Sequence, residues 1–220
     1  MGNNRKSLIY LIRHGITEGN LKRWFYGAAD IPLADEGRKQ IADLKSGGFY
    51  PVLPPGSLLF STGMKRAEET LRIICGDVPH IVIPELKEFD FGDFECRPYD
   101  EIKDDEDFMR WGMDTIGTVT IRGGESQEVF SERVMHGIEK LLAAHRELEE
   151  RQFRRGEAAV SFGVCHGGPI SSAMQQLFPG ERKTMWDWIP DPGSGYMLEV
   201  ENGRPVNAVL LGSRGRLNNE

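Results

Sequence analysis

The sequence predicts an α/β fold, and three observations point to it. Short apolar runs that suit buried strands alternate with stretches of helical period. Three of those runs end in segments bearing Arg or His together with Gly, and the chain closes on two strand-like stretches joined by the turn residues Asn202 and Gly203.

Taken in order, residues 8–12 form a buried strand that ends at Arg13 and His14. Residues 35–46 follow as a helix, with Ile41 and Leu44 one turn apart, and 58–60 form a second strand feeding a helix over about 65–75. Residues 81–83 make a third short strand. The segment 90–124 is the least regular, acidic with Phe108 and Trp111 set in it, and suits a small cap over a site. The longest helix begins at Ser126 as N-cap, runs to about residue 149, and places Phe130, Val134, Ile138, Leu141 and Leu142 on one face. Its far end is of mixed charge and fits a solvated helix face. A buried strand over 158–164 leads into Cys165, His166, two glycines and a helix through 170–177, and 196–200 with 206–210 close the chain as a hairpin. There is no internal repeat, low-complexity segment or linker. Residues 1–220 therefore fit a single domain with a cap-like insertion at about 90–124.

Composition narrows the function classes. With 220 residues, 39% of them hydrophobic, the chain can bury one substantial core. A formal net charge of −7 gives no basic field to collect nucleic acid, so an anionic ligand needs a local cluster of donors. Cys75, Cys96 and Cys165 are odd in number and widely spaced, which suits a reducing cytosol. The five-residue apolar run at 8–12 is too short for a signal sequence, and no stretch approaches the ~20 apolar residues of a membrane helix. The expectation is a cytoplasmic protein with no membrane and no nucleic-acid partner. The sequence leaves a homodimer open.

The chemistry-bearing residues gather at strand ends, where ligands sit in open α/β sheets. LIRHGITEGN at 11–20 supplies Arg13, His14, Gly15, Thr17 and Asn20 after the first strand. STGMKRAEET at 61–70 places Arg66 just inside a helix after the second, and VCHGGPI at 164–170 places His166 before two glycines that open a helix N-terminus. A lone histidine after a strand is usually a satisfied structural group. Two strand-end histidines, each followed by glycine and joined by two arginines, are hard to explain as packing.

These motifs resemble those of the histidine phosphatase superfamily, the phosphoglycerate mutase-like proteins. The family's RHGxTxxN run matches residues 13–20, and its later glycine falls on Gly27. SxxxRAxET matches 61–70, an LxExxFGxxE-like element matches 86–95, GES matches 124–126 and HGG matches 166–168. The resemblance implies a three-layer α/β/α sandwich with a mostly parallel central sheet and a small cap insertion. It also implies a phosphatase that hydrolyses a small phosphorylated metabolite through a phosphohistidine on His14. In that scheme Arg13 and Arg66 fork around the phosphoryl oxygens, and His166 and the Gly167 amide complete the cradle. Thr17, Asn20 and Gly27 are further phosphate-side positions. Glu88 is the general acid and then base, a role that a partly closed, apolar-lined site would suit, and Asp90 and Asp93 are its nearby competitors. Phe89, Phe91 and Phe94 are candidates for the lining.

No metal and no cofactor is expected. His14, His166 and Glu88 could be drawn as a two-histidine, one-carboxylate set, but Arg13 and Arg66 beside them would repel a divalent cation. His80, His136 and His145 fit structural or solvated positions. Arg23, Trp24, Tyr26, Arg97 and Trp111 are candidate leaving-group contacts. The interval between Glu88 and Gly124 is short, whereas the family's mutases carry a shielding insertion there. Hydrolysis is thus favoured, with the α-ribazole and broad-specificity phosphatases as the most similar members. A cofactor-dependent phosphoglycerate mutase and a phospho-ligand-binding pseudoenzyme are the alternatives.

Overall fold

Alternate side chains of one central strand enter two separate cores, and this divides the molecule into layers. The computed structural model describes residues 6–212. In chain order the elements are β1 (Ser7–Arg13), α1 (Glu18–Leu21), β2 (Trp24–Phe25), α2 (Asp35–Ser46), β3 (Leu58–Ser61), α3 (Lys65–Cys75) and β4 (Ile81–Val82). There follow β5 (Arg97–Pro98), α4 (Tyr99–Ile102), α5 (Glu106–Gly112), α6 (Gln127–Arg154), β6 (Ala159–Cys165), α7 (Gly167–Leu177), β7 (Gly195–Glu201) and β8 (Arg204–Leu210).

Ile9 and Leu11 of β1 pack into a core with Val134, Ile138 and Leu141 of α6 and Ile170 and Ala173 of α7. Tyr10 and Ile12 pack on the other side, with Ile41 of α2 and Ala67 and Leu71 of α3. Period-two alternation therefore places helices on both faces of the sheet. The sheet order is β4-β3-β6-β1-β7-β8. The first four strands in that order are parallel, while β7 and β8 run antiparallel. The mostly parallel three-layer sandwich is as the sequence predicts.

Register decides where the strand ends fall. Arg13 lies opposite Cys165 and Ser61 opposite Val164, so β1, β3 and β6 deliver His14, Thr62 and His166 to one edge. The β7–β8 hairpin turns through Asn202 (φ 52°) and Gly203 (φ 73°), the left-handed pair that a tight two-residue turn demands.

Several elements differ from expectation. Helix α6 extends to Arg154, because its far end is not a uniformly solvated face: His145, Leu148 and Gln152 are buried. His145 bridges the layers, its Nε2 2.7 Å from Ser7 Oγ on β1 and its Nδ1 2.6 Å from Ser161 Oγ on β6. Residues 90–124 contain β5, α4 and α5, and β5 pairs with β2 in a two-stranded ribbon. Phe94, Ile102, Phe108, Trp111 and Ile121 from this segment bury themselves in the same core as Ile9 and Leu11. Among the described residues no helix is long and apolar enough to cross a membrane.

Burial pushes the His145 imidazole down to about 4 from its ordinary value near 6.5. The unfolded chain therefore binds a proton that the folded chain refuses, and stability present above pH ~6.5 drains away as pH falls toward 4. Buried His14 and His166 act in the same direction. Thermal unfolding between pH 7 and pH 4 should show a falling midpoint, and His145→Gln should shrink that fall. An equal fall in wild type and variant would contradict the assignment.

Candidate active site

The edge formed by β1, β3 and β6 opens into a cavity of about 840 Å3. His14 is its chemical centre, only 2% exposed yet part of the cavity wall. Its Nδ1 lies 2.7 Å from the carbonyl oxygen of Gly15. A carbonyl can only accept, so Nδ1 carries the proton and Nε2 is left with its lone pair. Burial, then the charges of Arg66 and Arg13, hold the ring well below its ordinary pKa, so it is neutral at physiological pH. Gly15 is fixed in turn by its amide, which donates to Thr70 Oγ1 at 3.1 Å, while Thr70 donates to Arg66 O.

Arg13 lines the cavity beside His14. Its Nη1 donates to Pro190 O at 2.8 Å, whereas its buried Nε has no partner. A Cβ on Gly167 would lie 3.3 Å from the Arg13 guanidinium carbon, so glycine lets the first turn of α7 rest against that side chain. Gly167 and Gly168, at the helix N-terminus, are also in the wall. Glu88 reaches the same place: its Oε2 accepts from the Gly168 amide at 3.0 Å and its Oε1 from the Phe89 amide at 2.9 Å. Any anion seated at this helix terminus competes with Glu88 for the Gly168 donor.

Arg66 and His166 occupy a different position from the one the sequence suggests. Both are fully buried, and neither lines the cavity. Arg66 donates from Nη1 to Ala29 O, from Nη2 to Gly27 O and from Nε to His166 Nδ1 at 3.2 Å. A guanidinium only donates, so His166 accepts at Nδ1 and presents Nε2–H to Thr62 Oγ1 at 2.9 Å. Both nitrogens of His166 are thus engaged by protein groups. Its ring stands edge-on to His14, with centroids 5.2 Å apart.

Thr17 and Gly27 likewise support the site from outside the cavity wall. Thr17 caps α1 and is locked to Asn20 Oδ1 and Tyr26 OH, while Asn20 itself faces the cavity. The Gly27 amide donates to Glu95, and a Cβ there would fall 1.7 Å from Phe89 O, so only glycine allows this approach. Asp90 and Asp93 are not in the wall; Asp90 caps the Gly92 amide and Asp93 pairs with Arg122. Phe89, Phe91, Trp24, Tyr26 and Trp111 line the cavity, whereas Phe94 is buried elsewhere and Arg23 and Arg97 lie off it.

Two supporting groups are missed by sequence reasoning. Glu95 accepts from the amides of Gly27, Ala28, Ala29 and Phe91, tying the Gly27 loop to the Glu88 segment. Arg133, inside α6, pairs with Glu125 at 2.6 Å and donates to the carbonyls of Glu85, Lys87 and Glu88. Glu95 and Glu125 each stand in a motif, but nothing in the spacing marks Arg133 as the partner of Glu125.

Fold and pocket together define an α/β protein with a cavity at the carboxyl ends of its parallel strands. The chain belongs to the histidine phosphatase superfamily (branch 1), which matches residues 9–211, and it is a phosphatase of that family. It is 29% identical over 212 residues to the adenosylcobalamin/α-ribazole phosphatase of Escherichia coli strain K12, covering 94% of this chain and 96% of the relative. The solved α-ribazole phosphatase of Shigella flexneri superposes with a TM-score of 0.74 at 27% identity, covering 93% of this chain and 96% of that one. A 2,3-bisphosphoglycerate-dependent phosphoglycerate mutase from Parvibaculum lavamentivorans is 26% identical over 186 residues, 78% of this chain and 80% of the relative.

Arg133 makes a direct prediction. Arg133→Met keeps the stem but removes the donors that hold the Glu88 backbone, and displacement by about 1 Å can lower turnover roughly a hundredfold. Steady-state kinetics on alkyl phosphates should show such a loss in kcat with the fold retained by circular dichroism. Unchanged kcat would remove Arg133 from the support of Glu88.

Proposed function

We propose that this phosphatase hydrolyses a small-molecule phosphate monoester through a phosphohistidine on His14. The observation that carries the reading is the Nδ1 contact with Gly15 O, which leaves Nε2 as a neutral nucleophile facing the cavity. Nε2 attacks phosphorus, the N–P bond forms and the ester P–O bond breaks. Glu88, in its protonated form, gives its proton to the departing alkoxide. As carboxylate it then takes a proton from water, which attacks phosphorus, breaks the N–P bond and releases phosphate.

Charge develops on the non-bridging oxygens during both steps. The unpartnered Nε of Arg13, the α7 N-terminus at Gly167 and the cavity-facing amide of Asn20 supply donors there. Arg66, set behind that wall and held by Gly27, Ala29 and His166, contributes its positive charge. His166 acts mainly by orienting Arg66, and Thr17 and Gly27 by fixing Asn20, Tyr26 and Arg66. Segment 90–124 forms the wall over the leaving group. Arg13 and Arg66 already supply the charge stabilisation a divalent cation would offer, so the reaction proceeds without metal. Cys75, Cys96 and Cys165 are free, in keeping with a cytoplasmic enzyme.

His14→Ala should abolish turnover and acid-labile phosphate labelling, read by quench-flow with an aryl phosphate; near-normal turnover would eliminate His14 as nucleophile. Glu88→Gln should slow alkyl phosphates by about 100-fold or more, within the usual range for a lost general acid, and aryl phosphates far less. Equal slowing would count against Glu88. Dialysis against a chelator should leave the rate unchanged.

A further inference from the structure

The cavity is far larger than one phosphoryl group needs, and its walls are chemically lopsided. At the His14 end stands Arg13, the single lysine or arginine in the lining among the described residues. Away from it, α6 presents Glu128, Glu132, His136 and Glu139, spaced at i, i+4, i+8 and i+11, so that they share one helix face. Glu128 and Glu132 have no ion-pair partner within 4 Å among the described residues, and Glu139 has only His136 at 3.7 Å. Two cations stand over rings of the wall but are already paired: Lys22, over Trp24, with Glu18, and Arg133, over Phe130, with Glu125. The same cavity is lined by aromatic rings, Trp24, Phe91, Trp111 and Trp186 among them. Trp111 is 93% buried, and its indole Nε1 has no hydrogen-bond partner, an orphan donor within the wall.

A leaving group bearing a second phosphate or a carboxylate would meet this row of carboxylates with no cation to receive it. A protonated or quaternary nitrogen would meet both of its preferred surroundings, anionic oxygen and aromatic faces. We propose that the substrate's leaving group is cationic, a charged nitrogen on an aromatic or apolar body, selected by Glu128, Glu132 and Glu139. The proposal rests on the phosphatase reading above for the position of the phosphoryl group.

Three benzyl phosphates of matched size separate the two claims, carrying a trimethylammonium-methyl, a neopentyl or a carboxymethyl group on the ring. Binding is measured by calorimetry on the His14→Ala protein, where no turnover intervenes. The cationic ester should bind about tenfold or more tighter than the anionic one at low salt, a modest ratio because the carboxylates are exposed. High salt should compress the ratio, since such charges are screened. The triple variant Glu128→Gln, Glu132→Gln, Glu139→Gln, checked for fold by circular dichroism, should bring it toward unity. An anionic ester that binds as well as the cationic one overturns the proposal. So does a preference that survives in the triple variant, or no measurable binding of any of the three. Hydrolysis of unsubstituted benzyl phosphate by the wild-type enzyme tests the phosphatase reading separately. Absent hydrolysis with the binding order intact would refute that reading and leave charge selection standing.

Discussion

The hydrogen bond from His14 Nδ1 to Gly15 O is the interaction on which the rest of the site depends. It fixes the tautomer, aims Nε2 into the cavity, and does so with the next residue's own backbone. Burial and two neighbouring guanidinium groups add the second condition by keeping the ring uncharged. A neutral imidazole beside cations is costly to protonate and well disposed toward an incoming anion. The same arrangement explains why Arg66, deeply buried and expensive to desolvate, is surrounded by acceptors from Gly27, Ala29 and His166.

Around this bond the fold builds support from distant parts of the chain. Parallel register brings three strand ends level, which alone places residues 14, 62 and 166 together. Glu95 gathers four amides and so couples the Gly27 loop to the segment carrying Glu88. Arg133 of α6, paired with Glu125 just before that helix, ties α6 to the segment carrying Glu88. Carboxylates and guanidinium groups that look like solvated charge in the sequence are thus the fasteners of the cavity wall.

Much of this was legible in advance, because strand alternation and helical period are local properties. Helices α2 and α3 fall on their predicted residues, and Ser126 caps α6 as its sequence position suggests. What was not legible is long-range. The far end of α6 reads as solvated because Leu148 and Gln152 sit among charges, yet they are buried, Gln152 donating to Pro55 O. The two-residue strands β2 and β5 carry too little pattern to show until they pair. In the site, the strand-end histidines and Arg13 were readable from motif and position. That Arg66 and His166 stand off the cavity wall was not, since their partners are the backbone carbonyls of 27 and 29 and the hydroxyl of Thr62, which no spacing rule connects to them.

The central claim concerns one proton on one ring. Nitrogen NMR of the histidine side chains, followed from neutral toward acidic pH, observes it without any substrate. His14 should hold a single neutral tautomer, protonated at Nδ1 and bare at Nε2, to a pH well below the ordinary imidazole value near 6.5. A His14 ring that titrates at that ordinary value, or that carries its proton on Nε2, would contradict the account.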